Sequence, residues 1–330
     1  MSAASSKKLS RLVIGFWIVN LFVGVFVVAA WFWMNTSFKA IIIPPTPIVI
    51  EPATLTARFV ASFTSTVTQT LIPTIAPTFT KTLRPTQTPT RTLTPIPFSE
   101  GPITIGKSVN GLPLEVYRFG TGATERLIVA GMHGGNEYNT VQLVEELMDY
   151  LRQHPEIVPP DVTLYILHDL NPDGVARALS YLGRANANGV DLNRNWPANW
   201  QQDWPRAGCW TTTYVTAGSG PGSEPETKGL MTFIQSHHFD ALINYHSAAL
   251  GIFAGGLPPD DYSIRLAKAM AEVSTYAYPP IDTGCDYTGG FTDWADENNI
   301  AALDIELTNH TDTDYDMNLR ILEAFLNWKR

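Results

Sequence analysis

Residues 100–330 alternate short apolar segments with longer segments that carry apolar residues at helical spacing. This alternation constrains the fold more than any other feature of the chain, because each kind of segment has to bury its apolar side. The pattern predicts five strands, at Leu114–Phe119, Leu127–Met132, Val162–Leu167, Ala241–Tyr245 and Ala302–Leu307, and four helices, at Thr140–Gln153, Glu226–His238, Ile264–Ser274 and Asn318–Trp328. Strands that alternate with helices indicate a single α/β domain whose sheet is covered on both faces.

Residues 12–34 form a run of 23 residues in which Asn20 is the one strongly polar side chain. A helix of about 20 apolar residues crosses the core of a membrane, whereas a helix buried in a soluble domain would keep a polar stripe. We therefore predict a transmembrane helix. The run is longer than the apolar part of a signal peptide, which favours a retained anchor over a cleaved one. Basic residues within 1–11 predict a cytoplasmic N-terminus, a single pass through the cell membrane and an extracytoplasmic remainder.

Residues 35–99 have the composition of a linker. The 55 residues from 44 to 98 include 16 Thr and 10 Pro, and they show neither a helical nor a strand period. Proline fixes φ and removes a hydrogen-bond donor, so extended conformations are favoured. We expect a disordered, Thr/Pro-rich stalk that holds the domain at 100–330 away from the lipid.

The net charge of −9 combines two parts of opposite sign, because residues 1–99 carry +7 and residues 100–330 carry −16. All seven His and both Cys lie in the acidic part, so the chemistry is expected there. Binding of nucleic acid requires a basic face, and an acidic domain therefore predicts no nucleic-acid partner.

Two histidines and a glutamate follow predicted strands. His133 comes directly after Leu127–Met132, Glu137 comes four residues later, and His246 follows Ala241–Tyr245. Ligands gather at the carboxyl ends of strands in open α/β sheets, and two His with one Glu are a known donor set for catalytic zinc. The pattern predicts a zinc site, although each residue taken alone would also suit a simple hydrogen bond.

Glu306 follows a largely apolar run and lies at the end of a third strand. A carboxylate in such a place needs a partner or a function, and it would suit the general base that activates a water. Asp304 alternates with Glu306 and is an open alternative. Arg184 and Arg194, in the intervening loop, would either stabilise an anionic substrate or hold the loop in place.

The chain resembles the zinc carboxypeptidases, because six short motifs occur in the order typical of that family: Asn171–Gly174, Gly189–Asn195, Ser223–Thr227, Asn244–Ser247, Asp293–Trp294 and Ile305–Leu307. The resemblance covers residues 103–330. It implies a three-layer α/β/α sandwich with a mixed central sheet and one zinc ion per catalytic domain.

The resemblance also implies a role for individual residues. His133, Glu137 and His246 match the metal ligands, and Glu306 matches the catalytic base. Arg184 matches the arginine that polarises the scissile carbonyl.

Three further positions match residues that bind the substrate. Asn193 and Arg194 match the pair that binds the substrate's terminal carboxylate. Tyr287 matches the mobile tyrosine that contacts the substrate, with Tyr278 as a weaker candidate because the spacing to Asp293 is short.

The metal motif departs from the common spacing of the family. The common motif is His-x-x-Glu, which would select Asn136, and an amide is a poor zinc ligand. The His-Gly-Gly-x-Glu form is similar to a bacterial branch of the family, and that form selects Glu137.

The function implied by the resemblance is that of a membrane-anchored, extracytoplasmic zinc peptidase. Its substrates would be peptides with a free C-terminal carboxylate, cell-wall peptides among them, and it would release their C-terminal residues. Two alternatives stay open, a zinc deacylase of the aspartoacylase or desuccinylase type and a catalytically silent peptide-binding module. Thr292 lies near the expected pocket floor and is uncharged, which predicts no preference for C-terminal Lys or Arg.

Cys209 and Cys285 are the two cysteines of the chain. Outside the membrane a disulfide between them is expected, and it would join two loops near the active site. Two separate thiols are the alternative.

Overall fold

The computed structural model describes residues 97–209, 214–248 and 250–330. The transmembrane helix predicted at 12–34 lies outside these residues, as does almost all of the predicted 35–99 linker. Within the described ranges, no helix combines the length and apolar character needed to cross a membrane.

In the described residues, seven strands form one sheet, and they are β1 (Ser99–Lys107), β2 (Pro113–Gly120), β3 (Thr124–Val129), β4 (Val162–Leu167), β5 (Phe239–Ser247), β6 (Ile252–Ala254) and β7 (Ala301–Leu307). The helices are α1 (Asn139–Gln153), α2 (Pro172–Arg177), α3 (Pro225–Gln235), α4 (Asp261–Glu272), α5 (Phe291–Glu297) and α6 (Tyr315–Asn327). The nine predicted elements are all present, with ends that differ by up to three residues.

The sheet has the order β1-β2-β4-β3-β5-β7-β6. The four central strands β4, β3, β5 and β7 run parallel, and β1, β2 and β6 add antiparallel pairs at the two edges. The sheet is therefore mixed, as predicted. The central strands are nearly continuous apolar runs because helices cover both of their faces.

Two apolar cores lie on the two faces of the sheet. Side chains of α1, α4 and α6 pack on one face, and side chains of α3 and α5 pack on the other. Successive strand residues alternate between the cores: Ile128 faces the first, whereas Leu127 and Val129 face the second. This arrangement is the predicted three-layer α/β/α sandwich.

The sequence pattern missed the strands β1 and β6 and the helices α2 and α5. Strand β1 is largely exposed, β6 has three residues, and α2 and α5 are each a turn or two long. Such elements are too short or too polar to show a hydrophobic period, and short helices in proteins are stabilised mainly by tertiary packing.

Candidate metal centre and active site

The carboxyl ends of β3, β5 and β7 meet at one edge of the sheet and bring the predicted site residues together. His246 lies in the last residues of β5, directly opposite Glu306 on β7, and Asn244 lies opposite Asp304. His133 lies four residues beyond the end of β3. Because strand residues alternate between faces, Asp304 and Glu306 point the same way, as the sequence suggested.

A short 3₁₀ helix, Gly135–Glu137, carries the third predicted ligand. Gly135 has a φ of +73°, and a Cβ at this position would overlap the carbonyl oxygen of Ser180. Only glycine fits there without strain, which explains why the motif contains glycine before Asn136 and Glu137.

His133, Glu137 and His246 form a buried cluster, with 3%, 2% and 3% of their surfaces exposed. The Nδ1 atoms of the two imidazoles each lie 3.0 Å from a carboxylate oxygen of Glu137. One donor atom from each residue can be chosen so that all three lie within 4.8 Å of one another. Ligand atoms about 2 Å from a shared zinc ion lie roughly 3 to 4 Å apart. The two separations of 3.0 Å fit zinc, and the widest, at up to 4.8 Å, would shorten slightly as the ion binds.

The outer ring nitrogens of the two histidines also have partners. Nε2 of His133 lies 2.8 Å from Oδ1 of Asp191, a buried carboxylate. Nε2 of His246 lies 2.7 Å from the side-chain amide of Asn244 and 3.6 Å from Asp304. Carboxylate partners of this kind orient the imidazoles that bind metals, which strengthens the assignment of a metal site.

The charged groups around the cluster shift one another's pKa values. Burial opposes ionisation of Glu137, but His133, His246 and Arg184 hold the pKa of that carboxylate well below its usual range. Burial likewise disfavours charge on His246, yet hydrogen bonds to Asp304 and Glu137 raise its pKa to about 10. A metal that binds there has to displace a proton from His246, which makes metal affinity dependent on pH.

Glu306 lines the same cavity. Among the described residues, its carboxylate has fewer hydrogen-bond partners than that of Asp304. Its Oε2 atom is buried and has no hydrogen-bond partner among the described residues. Burial raises the pKa of Glu306 to about 8, the charge on His246 opposes this rise, and Glu137 adds to it. Asp304 is different, because its two oxygens accept hydrogen bonds from Asn244 and Thr292. A free carboxylate oxygen suits a proton acceptor, which favours Glu306 over Asp304 as the base.

Arg184 lies beside the metal ligands. Its Nη1 donates to Glu137 at 2.8 Å, and its Nε donates to Asp191 at 3.1 Å. The guanidinium therefore bridges the candidate ligand Glu137 and the carboxylate of Asp191, which orients His133.

Asn193 and Arg194 lie at the end of a 3₁₀ helix, Leu192–Arg194, which Asp191 caps. The side-chain oxygen of Asn193 accepts from the backbone N–H of Phe291, and its amide lies 3.2 Å from His246. Arg194 is 6% exposed and donates to the backbone of Asn193, but its Nε has no partner among the described residues.

The structure distinguishes between the two tyrosines that were candidates for contacting the substrate. The ring of Tyr287 lies 5.4 Å from Cζ of Arg194 and 5.6 Å from the ring of Phe253, and it lines the cavity. Tyr278 packs instead against the core between the sheet and α1, α4 and α6. The structure thus brings Tyr287 to the site and leaves Tyr278 outside it.

The cysteines form a disulfide, with the Cα atoms of Cys209 and Cys285 separated by 4.7 Å. Both residues line the cavity, as does Tyr287. The bridge therefore joins two loops at the rim of the site.

One cavity of about 420 Å³ is lined by the candidate ligands and by Glu306, Arg184, Asn193, Arg194 and Tyr287. Phe253, Leu257 and Thr292 also line it. A space of this size accommodates one or two amino-acid residues of a substrate.

Comparison with known proteins decides the family. A family model described as zinc carboxypeptidase matches residues 101–323. The chain belongs to the zinc carboxypeptidase family. The family predicted from the motifs is confirmed, and with it zinc as the cofactor, which His133, Glu137 and His246 would hold.

Within the zinc carboxypeptidase family, the chain is similar to murein peptide amidase A of Escherichia coli, with 30% identity over 220 residues that cover 63% of this chain and 82% of the relative. It is also similar to mouse carboxypeptidase A4, with 27% identity over 231 residues that cover 60% of this chain and 54% of the relative. The crystal structure of thrombin activatable fibrinolysis inhibitor has the same fold, with a TM-score of 0.56, 18% identity, and coverage of 68% of this chain and 67% of the other.

Two polar residues of the site were not selected from the sequence. Asp191 lies within the motif Gly189–Asn195, but its contact with His133 depends on a loop that folds back over the sheet. His310 lines the cavity beyond β7, where its ring contacts Asn136 and Ser247. Asn136 thus faces His310 and takes no part in the metal cluster.

Proposed function

We propose that this protein hydrolyses the amide bond before a residue that bears a free terminal carboxylate. The observation that supports this most strongly is Arg194, a buried cation that lines the same cavity as the metal ligands and Glu306. Its Nε has no partner among the described residues, and burial lowers its pKa, so the unpaired charge is costly. A carboxylate of the substrate would relieve that cost by forming charge-assisted hydrogen bonds.

The chemistry follows from the positions of the groups. Zinc, when held by His133, Glu137 and His246, acidifies a bound water and polarises a carbonyl. Glu306 would accept a proton from the attacking water at its free Oε2 and would return it to the leaving amine. Arg194 would orient the terminal carboxylate, so that the scissile bond lies next to Glu306.

Peptides of the cell wall are the substrates we favour. Support comes from the similarity to murein peptide amidase A, because the matched region covers 82% of that relative. The proposed extracytoplasmic position of the domain would give it direct access to such peptides.

The decisive test compares matched peptides that end in a free carboxylate or in a carboxamide. We expect kcat/KM for the acid to exceed that for the amide about 10- to 100-fold, because a hydrogen bond to a charged group contributes roughly 1.5 to 3 kcal/mol. Arg194→Met should bring the ratio towards one, whereas Arg152→Met, on the exposed surface of α1, should leave it unchanged. Equal hydrolysis of both peptides by the wild-type protein would contradict the proposal.

The same assay addresses the two alternatives. A deacylase would turn over N-acetyl or N-succinyl amino acids faster than peptides of equal length. A binding module would take up one equivalent of zinc and bind the peptide without releasing a product.

We further propose that residues 12–34 anchor the protein in the cell membrane and that 35–99 act as the stalk. The apolar run and the Thr/Pro-rich composition support this. Full-length protein should stay in the membrane fraction after an alkaline wash. Val25→Lys with Val28→Lys should release it, because each charge at the centre of the bilayer costs about 2.5 to 3.5 kcal/mol.

A further inference from the structure

A second cleft, of about 310 Å³, lies at the edge of the sheet opposite the metal centre. It is lined by Phe239, the first residue of β5, and by Ile300, which directly precedes β7. His246 and Glu306 lie towards the other ends of the same two strands. The rise of a strand places Ile300 and Glu306 about 20 Å apart, so the cleft is separate from the catalytic cavity.

The lining of the cleft combines buried apolar side chains with more exposed polar ones. The apolar side chains come from α3, β5, α5 and the turn before β7, and they are Ile234, Phe239, Trp294 and Ile300. The polar side chains are half-buried or exposed and include Gln235, His238, Asp240, Asn298, Asn299 and Arg330. Apolar surface with a few polar groups at fixed positions is typical of a site for a small ligand.

Several polar side chains of the cleft have unused capacity for hydrogen bonds. The side chains of Gln235, His238 and Asp240 form no hydrogen bond within the described residues. His237 also lines the cleft, and its Nδ1 lies 2.8 Å from the carbonyl oxygen of Phe233. That contact places the ring proton on Nδ1 and leaves Nε2 without a partner in the described part of the chain.

The two asparagines that follow α5 add a further acceptor and a further donor. Asn298 donates through Nδ2 to the carbonyl of Trp294, which leaves its Oδ1 as an acceptor. Asn299 accepts through Oδ1 from the guanidinium of Arg330 at 2.5 Å, which leaves its Nδ2 as a donor. The cleft therefore offers both donors and acceptors to a ligand.

We infer that this cleft binds a neutral saccharide. Apart from the two histidines, Asp240 is the one acidic side chain and Arg330 the one basic side chain that line it, so the lining favours neither an anion nor a cation. A sugar ring has an apolar C–H face, which suits the buried apolar side chains. Each of its hydroxyls both donates and accepts hydrogen bonds, which suits the mixed polar groups.

The saccharide we favour is the glycan strand of the cell wall, and this choice rests on the proposed function. Peptides of the cell wall are attached to glycan strands. A domain that binds such a strand at one edge of its sheet stays close to the peptides that it cleaves at the other edge. Linking two binding events in this way raises the effective concentration of the second one.

The first experiment titrates the zinc-loaded, full-length protein in detergent with the tetramer of N-acetylglucosamine, followed by calorimetry. We expect binding, and Gln235→Ala combined with His238→Ala should weaken it at least tenfold, because two hydrogen bonds to the ligand are lost. Gln153→Ala combined with His154→Ala is the matched control, because it removes the same two residue types at the end of α1. The control should leave Kd unchanged.

The second experiment compares two substrates, intact cell-wall material and the free peptide of the same sequence. The double variant of Gln235 and His238 should release peptide from the cell wall at least threefold more slowly than the wild type. It should keep the kcat/KM of the wild type for the free peptide, because neither residue lines the catalytic cavity. A variant that has merely lost stability would lower both rates together.

Each experiment has an outcome that contradicts the inference. A wild-type protein that does not bind the tetramer, or a double variant that binds it equally tightly, would overturn the saccharide site. Equal release from the cell wall by wild type and double variant would overturn the glycan strand as its ligand. If the wild-type protein hydrolyses no peptide, the proposed function fails, whereas the titration still decides whether the cleft binds a saccharide.

Discussion

Two groups of residues that line the cavity are held differently: the metal half, formed by His133, Glu137 and His246, and the pair of carboxylates Asp293 and Asp304. In the metal half, each ring nitrogen of His133 and His246 has a polar neighbour of the protein within 3.0 Å. Asp293 and Asp304 accept hydrogen bonds from neutral donors, and neither forms an ion pair with Lys or Arg among the described residues. The metal-site residues are therefore held by charged and polar neighbours on every ring nitrogen, whereas Asp293 and Asp304 are held mainly by neutral donors, with His246 3.6 Å from Asp304.

This difference follows from what the metal half has to do. A catalytic metal requires ligands in a single geometry, and internal hydrogen bonds hold that geometry in advance.

The largest effect is expected from Glu306→Gln, which removes the base and leaves the metal half otherwise intact. Turnover should fall about 10⁴-fold, because a positioned general base contributes roughly 10² to 10⁴. Zinc content, measured by atomic absorption, should stay at one equivalent per chain, and Glu272→Gln on α4 serves as the control. Turnover close to that of the wild type would exclude Glu306 as the base.

The second effect concerns the disulfide, which joins two loops that line the cavity. Cys209 and Cys285 are separated by 76 positions, and a bridge over such a loop stabilises a fold by about 4 kcal/mol. Replacing both with Ser should lower the free energy of unfolding by up to that amount, as measured by urea denaturation. An unchanged midpoint would mean that the loops are held by packing alone.

The smallest effect is expected from Asp191→Asn, which should lower the affinity for zinc without removing a ligand. Loss of a carboxylate that orients a ligating histidine lowers metal affinity about 10- to 100-fold. Competition with a chelating dye would measure this change, and Asp312→Asn on the exposed surface is the control. If both variants bind zinc equally tightly, the contact between Asp191 and His133 has no role in metal binding.

The sequence pattern predicted the layers of the fold well because the signal is strong in long, buried elements. The predicted strand Val162–Leu167 has the same ends in the structure, and the helix predicted at Thr140–Gln153 begins one residue earlier. The strand predicted at Leu127–Met132 ends instead at Val129, because the chain turns at Gly131, whose φ is +64°. A turn of this kind ends the hydrogen-bonded pairing of the strand, although the apolar residues of the sequence continue to Met132.

The site was predictable where it coincides with strand ends. His246 and Glu306 follow apolar strands, and parallel strands bring such residues to one edge. His310 carries no comparable signal, because it reaches the cavity from the loop after β7. Asp293 was marked by the motif Asp293–Trp294 and not by a strand end, because it lies on a short helix.

By itself, the sequence determined the layered α/β architecture, the family and the candidate zinc ligands, since these depend on local periodicity and on short motifs. Only the tertiary structure decided that Tyr287 and not Tyr278 faces the cavity, that Asp191 supports His133, and that Asp304 approaches Thr292. These contacts join residues that lie 12 or more positions apart, and their distances depend on how loops and strands pack together. No local pattern of residue types encodes such distances.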